Sequence, residues 1–132
     1  MSSPGDAETI LAERGARLVG FAHVAFDEHP RWGSLVDNLH VADALRRTGI
    51  GTRLLQEAGR AVAARADRNA MYLWVLQQNV SAQQFYRRCG ATQVETAPVS
   101  PPGGDPARLC GQPRMLRMTW PDVTTSGLLG SR

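Results

Sequence analysis

The feature that most constrains this chain is residues 38–55, where an alternating apolar segment passes through a polar turn and two glycines into an amphipathic helix. The segment ending near Val41 is typical of a strand. From Ile50 onwards, apolar residues at helical spacing share one face: Leu54, Ala58, Ala61 and Val62. The N–H groups of a first helical turn have no intrahelical partner and lie at the positive end of the helix dipole. Because Gly49 and Gly51 would let a large anion approach these groups, the stretch predicts a phosphate-binding site.

Two common phosphate-binding motifs are absent from this stretch, and their absence limits the type of phosphate site. No G-x-x-x-x-G-K-[ST] string occurs, so a P-loop is excluded. A dinucleotide fingerprint would need a third glycine where Leu54 stands. What remains is Arg46-x-x-Gly49-x-Gly51 after a strand. The alternative is a glycine-flanked turn that opens a surface helix.

A second string, Asn79-Val80-Ser81-Ala82-Gln83-Gln84-Phe85-Tyr86-Arg87-Arg88-Cys89-Gly90-Ala91, follows one strand later. It resembles N-x-x-A-x-x-F-Y-x-x-x-G-F, the second signature of the GNAT family of N-acetyltransferases. Arg46-x-x-Gly49-x-Gly51 resembles the acyl-CoA-binding motif of the same family, [QR]-x-x-G-x-[GA]. Both strings occur in the family's order, and the resemblance covers roughly residues 9–120.

Length and composition indicate a single globular domain, residues 1–132, with 42% hydrophobic and 20% charged residues. The longest apolar run, 71–76, is too short to span a membrane, and the N-terminus does not read as a secretory signal, so we expect a cytoplasmic protein. Cys89 and Cys110 show no metal-ligand spacing, and we expect no metal. The net charge of +3 is mild, and arginines beside the glycines suit a phosphate better than nucleic acid.

Periodicity predicts strands at 9–14, 18–27, 34–41, 71–76, 91–97 and 114–120, a helix at 49–66, and a second helix opened by a Ser81–Gln84 capping box. Residues 1–8 and 121–132 are expected to be disordered tails. Strand 18–27 is apolar on both faces, which predicts a strand covered on both sides. Strict alternation in 34–41 would place Asp37 with Leu39 and Val41 on one face, and His40 on the other.

The resemblance implies an α/β (α+β) fold of the GNAT type: a mixed, mostly antiparallel sheet with flanking helices, whose two central parallel strands, 34–41 and 71–76, splay apart. The strand and two helices with which family members usually begin are missing from this sequence. We therefore expect an acceptor side that is open, completed by another subunit, or lost because the chain is a fragment. This departure leaves the cofactor half of the fold untouched.

The resemblance also implies acetyl-CoA as the cofactor. Backbone groups of Leu39 and Val41 would pair with its pantetheine arm, backbone N–H groups of residues 47–52 would hold the diphosphate, and the Asn79 side chain would hydrogen-bond the pantetheine. The alternative for Asn79 is an ordinary residue at a helix start. The full cofactor-binding set expected from the resemblance is Leu39, His40, Val41, Arg46, Arg47, Thr48, Gly49, Ile50, Gly51, Thr52, Asn79 and Tyr86.

Amine attack on a thioester needs a base, an oxyanion donor and an acid for the departing thiolate. By resemblance, Tyr86 is the general acid and a backbone N–H near Val41 is the oxyanion donor. Tyr86 could instead be a core aromatic side chain. The base stays open between Asp37, His40 and Glu28.

The predicted function is transfer of an acetyl group from acetyl-CoA to a primary amine of a small molecule, peptide or protein. Two alternatives remain: a non-catalytic CoA-binding module, and an α/β domain that binds another phosphate ligand or nucleic acid. The expected partners are acetyl-CoA and an amine acceptor, without a membrane; a homodimer is a further option.

Overall fold

The computed structural model describes residues 6–42, 49–98, 114–125 and 127–128. It contains six strands and two helices in the described ranges. In chain order they are β1 Ala7–Arg14, β2 Arg17–His29, β3 Gly33–Val41, α1 Ile50–Arg65, β4 Met71–Leu76, α2 Val80–Arg88, β5 Thr92–Pro98 and β6 Arg114–Trp120. Each predicted element is therefore present, and the bounds of β4 and β6 are those predicted from the sequence.

The six strands form one sheet in the order β1-β2-β3-β4-β6-β5. Every neighbouring pair is antiparallel except β3 and β4, which run parallel. The helix α1 connects these two parallel strands, as a crossover connection requires. The structure thus confirms the mixed, mostly antiparallel sheet expected from the sequence.

The hydrophobic core lies on one face of the sheet. Both helices contribute to it: Leu55, Ala58 and Val62 of α1 are buried there, and Phe85 and Tyr86 of α2 pack against it. The strands supply alternate residues, namely Val24, Phe26, Val36, Met71, Leu73, Val75, Leu116, Met118 and Trp120. We call this the helical face and the other side of the sheet the second face.

Among the described residues, a helix covers the strand β2 on its helical face alone. Ala22, Val24 and Phe26 are buried, whereas Phe21 and His23 on the second face are half-buried. The described residues therefore show the predicted cover on one face of this strand only. Apolar content on both faces of a strand does not distinguish a covered face from a face that no helix covers among the described residues.

A β-bulge interrupts the alternation in β3. Val24 pairs with Val36, but the preceding residue of β2, His23, pairs with Asn38, so Asp37 is the extra residue. Leu39 consequently lies opposite Ala22, on the same helical face as Val36. The predicted alternation was therefore wrong across the bulge, which shifts the pattern by one residue, whereas Leu39 and His40 lie on opposite faces as predicted.

The parallel pair opens soon after it begins. Only Ser34–Met71 and Leu35–Tyr72 pair across β3 and β4, although β3 continues to Val41 and β4 to Leu76. The two strands thus diverge, as the predicted fold requires.

The ordered structure reaches further towards both ends of the chain than the sequence predicted. Ala7 and Glu8 already belong to β1, while Val123 and Leu128 are 0% and 2% exposed and lie within the core. Their burial corrects the expectation of disorder at these positions. Within the described ranges, neither helix is long and apolar enough to cross a bilayer.

Candidate active site

The edge of β3 that faces the gap carries backbone groups free of strand pairing. The Ala42 N–H donates to the Val19 carbonyl oxygen at 2.8 Å, so the backbone N–H and C=O groups of Ala42 face β2. Because such positions alternate along an antiparallel pair, His40 also faces β2, whereas Leu39 and Val41 direct their N–H and C=O groups away from it. In the described part of the chain no strand pairs with β3 beyond Leu35 on that side. The edge can therefore accept an extended ligand as an added strand.

The first turn of α1 offers backbone N–H groups to an anion. Gly49 is the N-cap, with φ 91° and ψ −3°, and it provides no side-chain cap. The helical hydrogen bonds begin with the Arg53 N–H, which donates to the Gly49 carbonyl oxygen at 3.0 Å. The N–H groups of residues 50–52 precede that bond, and no acidic side chain lies in the first turn. An uncapped helix start without a carboxylate suits a diphosphate. Three predicted residues of this site, Arg46, Arg47 and Thr48, lie outside the described residues.

The strand β3, the helix α1 and the helix α2 meet at Gly51. A Cβ atom placed on this glycine would lie 3.2 Å from Cζ of Phe85 and 3.7 Å from Cγ2 of Val41. Burial raises the pKa of Cys89, the C-cap residue of α2, and the neighbouring Thr52 side chain opposes this rise by hydrogen bonding. The start of α1 is therefore held against both the end of β3 and the second helix.

Tyr86 lies on α2 with its ring turned towards the core. Its ring centroid is 5.3 Å from that of Phe85 and 6.5 Å from that of Trp120, in an edge-on arrangement with the tryptophan. Burial, with a smaller contribution from Cys89, raises the pKa of the Tyr86 hydroxyl above its ordinary value. The phenol is thus protonated at neutral pH and able to donate a proton.

Asn79 is the N-cap of α2, a place that the sequence had suggested for Ser81. Its Oδ1 accepts a hydrogen bond from the Ala82 N–H at 3.2 Å. The side chain is exposed. The amide NH₂ group points to no described acceptor and is available to a ligand, so capping and ligand binding are compatible.

The three candidate bases lie apart from Tyr86. The His40 side chain is exposed on the second face, where its ring lies 5.6 Å from that of Phe21. Asp37 is exposed in the bulge, and Glu28 is exposed near the end of β2. Both carboxylates act electrostatically on the Tyr72 hydroxyl, so the structure associates Asp37 with Glu28 rather than with His40.

A cluster on the second face, which we call the Arg117 cluster, was missed by the sequence analysis. The Arg117 guanidinium carbon lies 4.3 Å from the ring centroid of Trp74, 5.2 Å from that of Tyr72 and 5.5 Å from that of Trp32. Its Nη1 donates to Oε1 of Glu95 at 2.7 Å. The signal was an arginine in the middle of β6, between the apolar residues Leu116 and Met118. Trp32, from the loop before β3, packs here against Arg117.

Burial and the positive charge of Arg117 have opposite effects on the pKa of the Tyr72 hydroxyl in this cluster. Burial raises the pKa of Tyr72, the Arg117 charge lowers it, and Glu28 and Asp37 raise it again. The net direction is upward. The Tyr72 hydroxyl is therefore neutral at physiological pH, beside two carboxylates that favour a cationic ligand.

Solved structures with the same fold are numerous. Nourseothricin acetyltransferase is 25% identical over 89% of this chain and 66% of its own, with a TM-score of 0.69. A Bacillus anthracis protein solved in complex with acetyl coenzyme A is 17% identical, with a TM-score of 0.71, and is matched over 83% of this chain and 59% of its own. A ribosomal-protein-alanine N-acetyltransferase from Brucella melitensis is 23% identical, with a TM-score of 0.67, over 83% of this chain and 65% of its own.

The chain thus spans between 59% and 66% of the length of these three structures. Comparison with curated protein sequences gives no match. The model of the acetyltransferase (GNAT) domain matches residues 5–90, which contain the strand edge, the helix start and the second helix described above. The chain belongs to the GNAT acetyltransferase family.

Proposed function

We propose that this chain is an acetyl-CoA-dependent N-acetyltransferase that moves the acetyl group to a primary amine by direct attack of the amine on the thioester. The observation that carries the proposal is the opening between β3 and β4 next to the uncapped start of α1. One extended edge and one anion site, side by side, match a ligand with an amide-containing arm and a diphosphate.

The residues at the opening suit the two parts of acetyl-CoA. The backbone groups of Leu39 and Val41 would pair with the pantetheine amides, as an added strand does. The N–H groups of residues 50–52 would hold the diphosphate, with Arg46 and Arg47 supplying positive charge. The NH₂ group of Asn79 would donate to the pantetheine arm. Acetyl-CoA supplies an activated acyl group, and the protein supplies its orientation.

The acceptor amine would approach from the second face. That face lacks a covering helix in the described ranges, and it presents Asp37 and Glu28 beside the Tyr72 hydroxyl. Two exposed carboxylates near an aromatic surface favour an ammonium group before it loses its proton. The choice of base remains between these carboxylates and His40.

The reaction itself balances with the groups present. The amine loses a proton to the base, its nitrogen forms a bond to the thioester carbonyl carbon, and the carbon–sulfur bond breaks. The N–H of Val41, directed into the opening, would donate to the oxygen that gains negative charge. The Tyr86 hydroxyl would give its proton to the departing thiolate, and its raised pKa keeps that proton in place until then.

The substitution Tyr86→Phe tests the proposal. If Tyr86 is the acid, we expect kcat to fall by about 100-fold, in the range measured for general acids, while the Kd for acetyl-CoA changes by less than about threefold. Thiol release from acetyl-CoA is measured across a panel of small amines and peptide amines, and Kd is measured by titration calorimetry. The sequence contains no lysine, so acetylation of the enzyme's own lysine side chains cannot contribute to thiol release.

Three results would contradict the proposal in different ways. Equal losses in kcat and in acetyl-CoA affinity would show that Tyr86 is structural. Acetyl-CoA binding by the wild-type protein without thiol release for any amine would favour a non-catalytic CoA-binding module. The absence of acetyl-CoA binding would remove both possibilities.

A further inference from the structure

The first turn of α1 contacts α2, and a glycine of α1 lies beside an aromatic ring of α2. Gly51 and Thr52 belong to the first turn of α1; Gly51 lies beside Phe85 of α2, and Thr52 lies beside Cys89, the C-cap residue of α2. At 3.2 Å from the site of a Cβ atom on Gly51, the Phe85 ring leaves no comfortable room for a methyl group.

The same ring also contacts the residue proposed as the acid. The centroids of Phe85 and Tyr86 are 5.3 Å apart, and both side chains pack against the core. The Phe85 ring therefore lies near the start of α1 and the end of β3, and it also lies near Tyr86. A change in this ring would alter the spacing between the anion site and the phenol.

We propose that Phe85 is a positioning residue that fixes the first turn of α1 relative to the open edge of β3 and to the Tyr86 hydroxyl. Gly51 is then glycine because the Phe85 ring lies beside it, and not because the diphosphate needs a bare backbone there. This inference rests on the proposed binding of acetyl-CoA at the start of α1. It differs from the usual reason for glycine at an anion site, which is close approach of the ligand.

A double-mutant cycle over Gly51→Ala and Phe85→Leu tests this inference. Alanine is the better helix former, so a loss of stability or affinity in Gly51→Ala cannot come from helix propensity. We expect Gly51→Ala to weaken acetyl-CoA binding by about tenfold when Phe85 is present and by less than about threefold in the Phe85→Leu background. Binding is measured by calorimetry, and thermal unfolding is measured on all four proteins. Phe85→Met provides a second background if the leucine variant does not fold.

Steady-state kinetics separate positioning from simple loss of stability. A shifted first turn raises the KM for acetyl-CoA, and a shifted Tyr86 lowers kcat. We expect Gly51→Ala to do both when Phe85 is present, and to change both constants much less in the Phe85→Leu background, where each constant is compared with that of the Phe85→Leu single variant. A purely structural contact would lower the unfolding temperature without moving the kinetic constants of the folded enzyme at low temperature.

Equal weakening by Gly51→Ala in both backgrounds would overturn the inference, because the methyl group would then obstruct the ligand itself. Unchanged affinity and kinetics of Gly51→Ala would overturn it as well. If the wild-type protein does not bind acetyl-CoA, the proposed function fails. The contact between Phe85 and position 51 is then judged separately by the unfolding temperatures: additive changes contradict the contact, and with it the inference, whereas non-additive changes support the contact.

Discussion

Gly49 and Gly51 lie two residues apart, but the structure gives them different reasons to be glycine. Gly49 has φ 91°, a left-handed conformation that other residues adopt at a cost, and its Cβ position has no atom of a described residue within 4 Å apart from its chain neighbours. Gly51 has no such backbone requirement and is instead close to the Phe85 ring. The sequence predicted both glycines for one purpose, because a motif records residue type and not backbone angles.

The backbone requirement of Gly49 leads to a prediction with a matched control. Gly15, in the turn between β1 and β2, has φ 65° and equally open surroundings. We expect Gly49→Ala and Gly15→Ala each to lower the free energy of unfolding by about 1 kcal/mol, the usual cost of the left-handed region. Only Gly49→Ala should also weaken acetyl-CoA binding, by about tenfold. Urea unfolding and calorimetry check the two effects, and equal affinities for the two variants would show that the ligand lies elsewhere.

Several residue roles could not be predicted because they depend on neighbours that are distant in sequence. Arg117 of β6 contacts Tyr72 and Trp74 of β4 and Trp32 of the loop before β3. The local pattern identified Tyr86 and Asn79 as notable. It could not show that the Asn79 oxygen caps α2, because both uses of asparagine are consistent with a helix start.

At the scale of elements, the strongly patterned segments were predicted well and their irregularities were not. The run Met71–Leu76 is a strand with the predicted bounds because six consecutive apolar residues between polar turns leave little choice. The bulge at Asp37 is different. It depends on the pairing of β3 with β2, which no single segment records, and it changes the face of every residue on one side of it.

The bulge also matters to the site. Because it brings Leu39 to the helical face with Val36, it sets Asp37 apart as the extra residue. The two halves of β3 therefore serve different purposes: the first half closes the sheet with β4, and the second half provides the open edge.

At the scale of the whole molecule, the sheet is covered unevenly. Both described helices lie on one face, and the second face carries the Arg117 cluster in place of a helix. The sequence could not predict what stands on this face, because the Arg117 cluster joins residues that are distant in sequence.

The tyrosines predict how the stability of the molecule depends on pH. Burial raises the pKa of both Tyr72 and Tyr86, the two tyrosines of the chain, above the ordinary value of 10.0. The unfolded chain therefore loses these protons first as pH rises, and stability falls above about pH 10. We expect the urea midpoint to decrease from about pH 8 to about pH 10.5, and to decrease less in Tyr72→Phe and in Tyr86→Phe. An identical decrease in all three proteins would contradict the raised pKa values.

The open edge of β3 and the start of α1 are proposed to hold acetyl-CoA together. Amide hydrogen exchange, followed by NMR with and without coenzyme A, measures whether the ligand protects the backbone at both places. We predict that the amides of Leu39, Val41, Gly51 and Thr52 exchange more slowly when the ligand is added. The His40 amide, directed towards β2, should be protected in both states. Ligand-induced protection on another surface, with these four amides unchanged, would contradict the account.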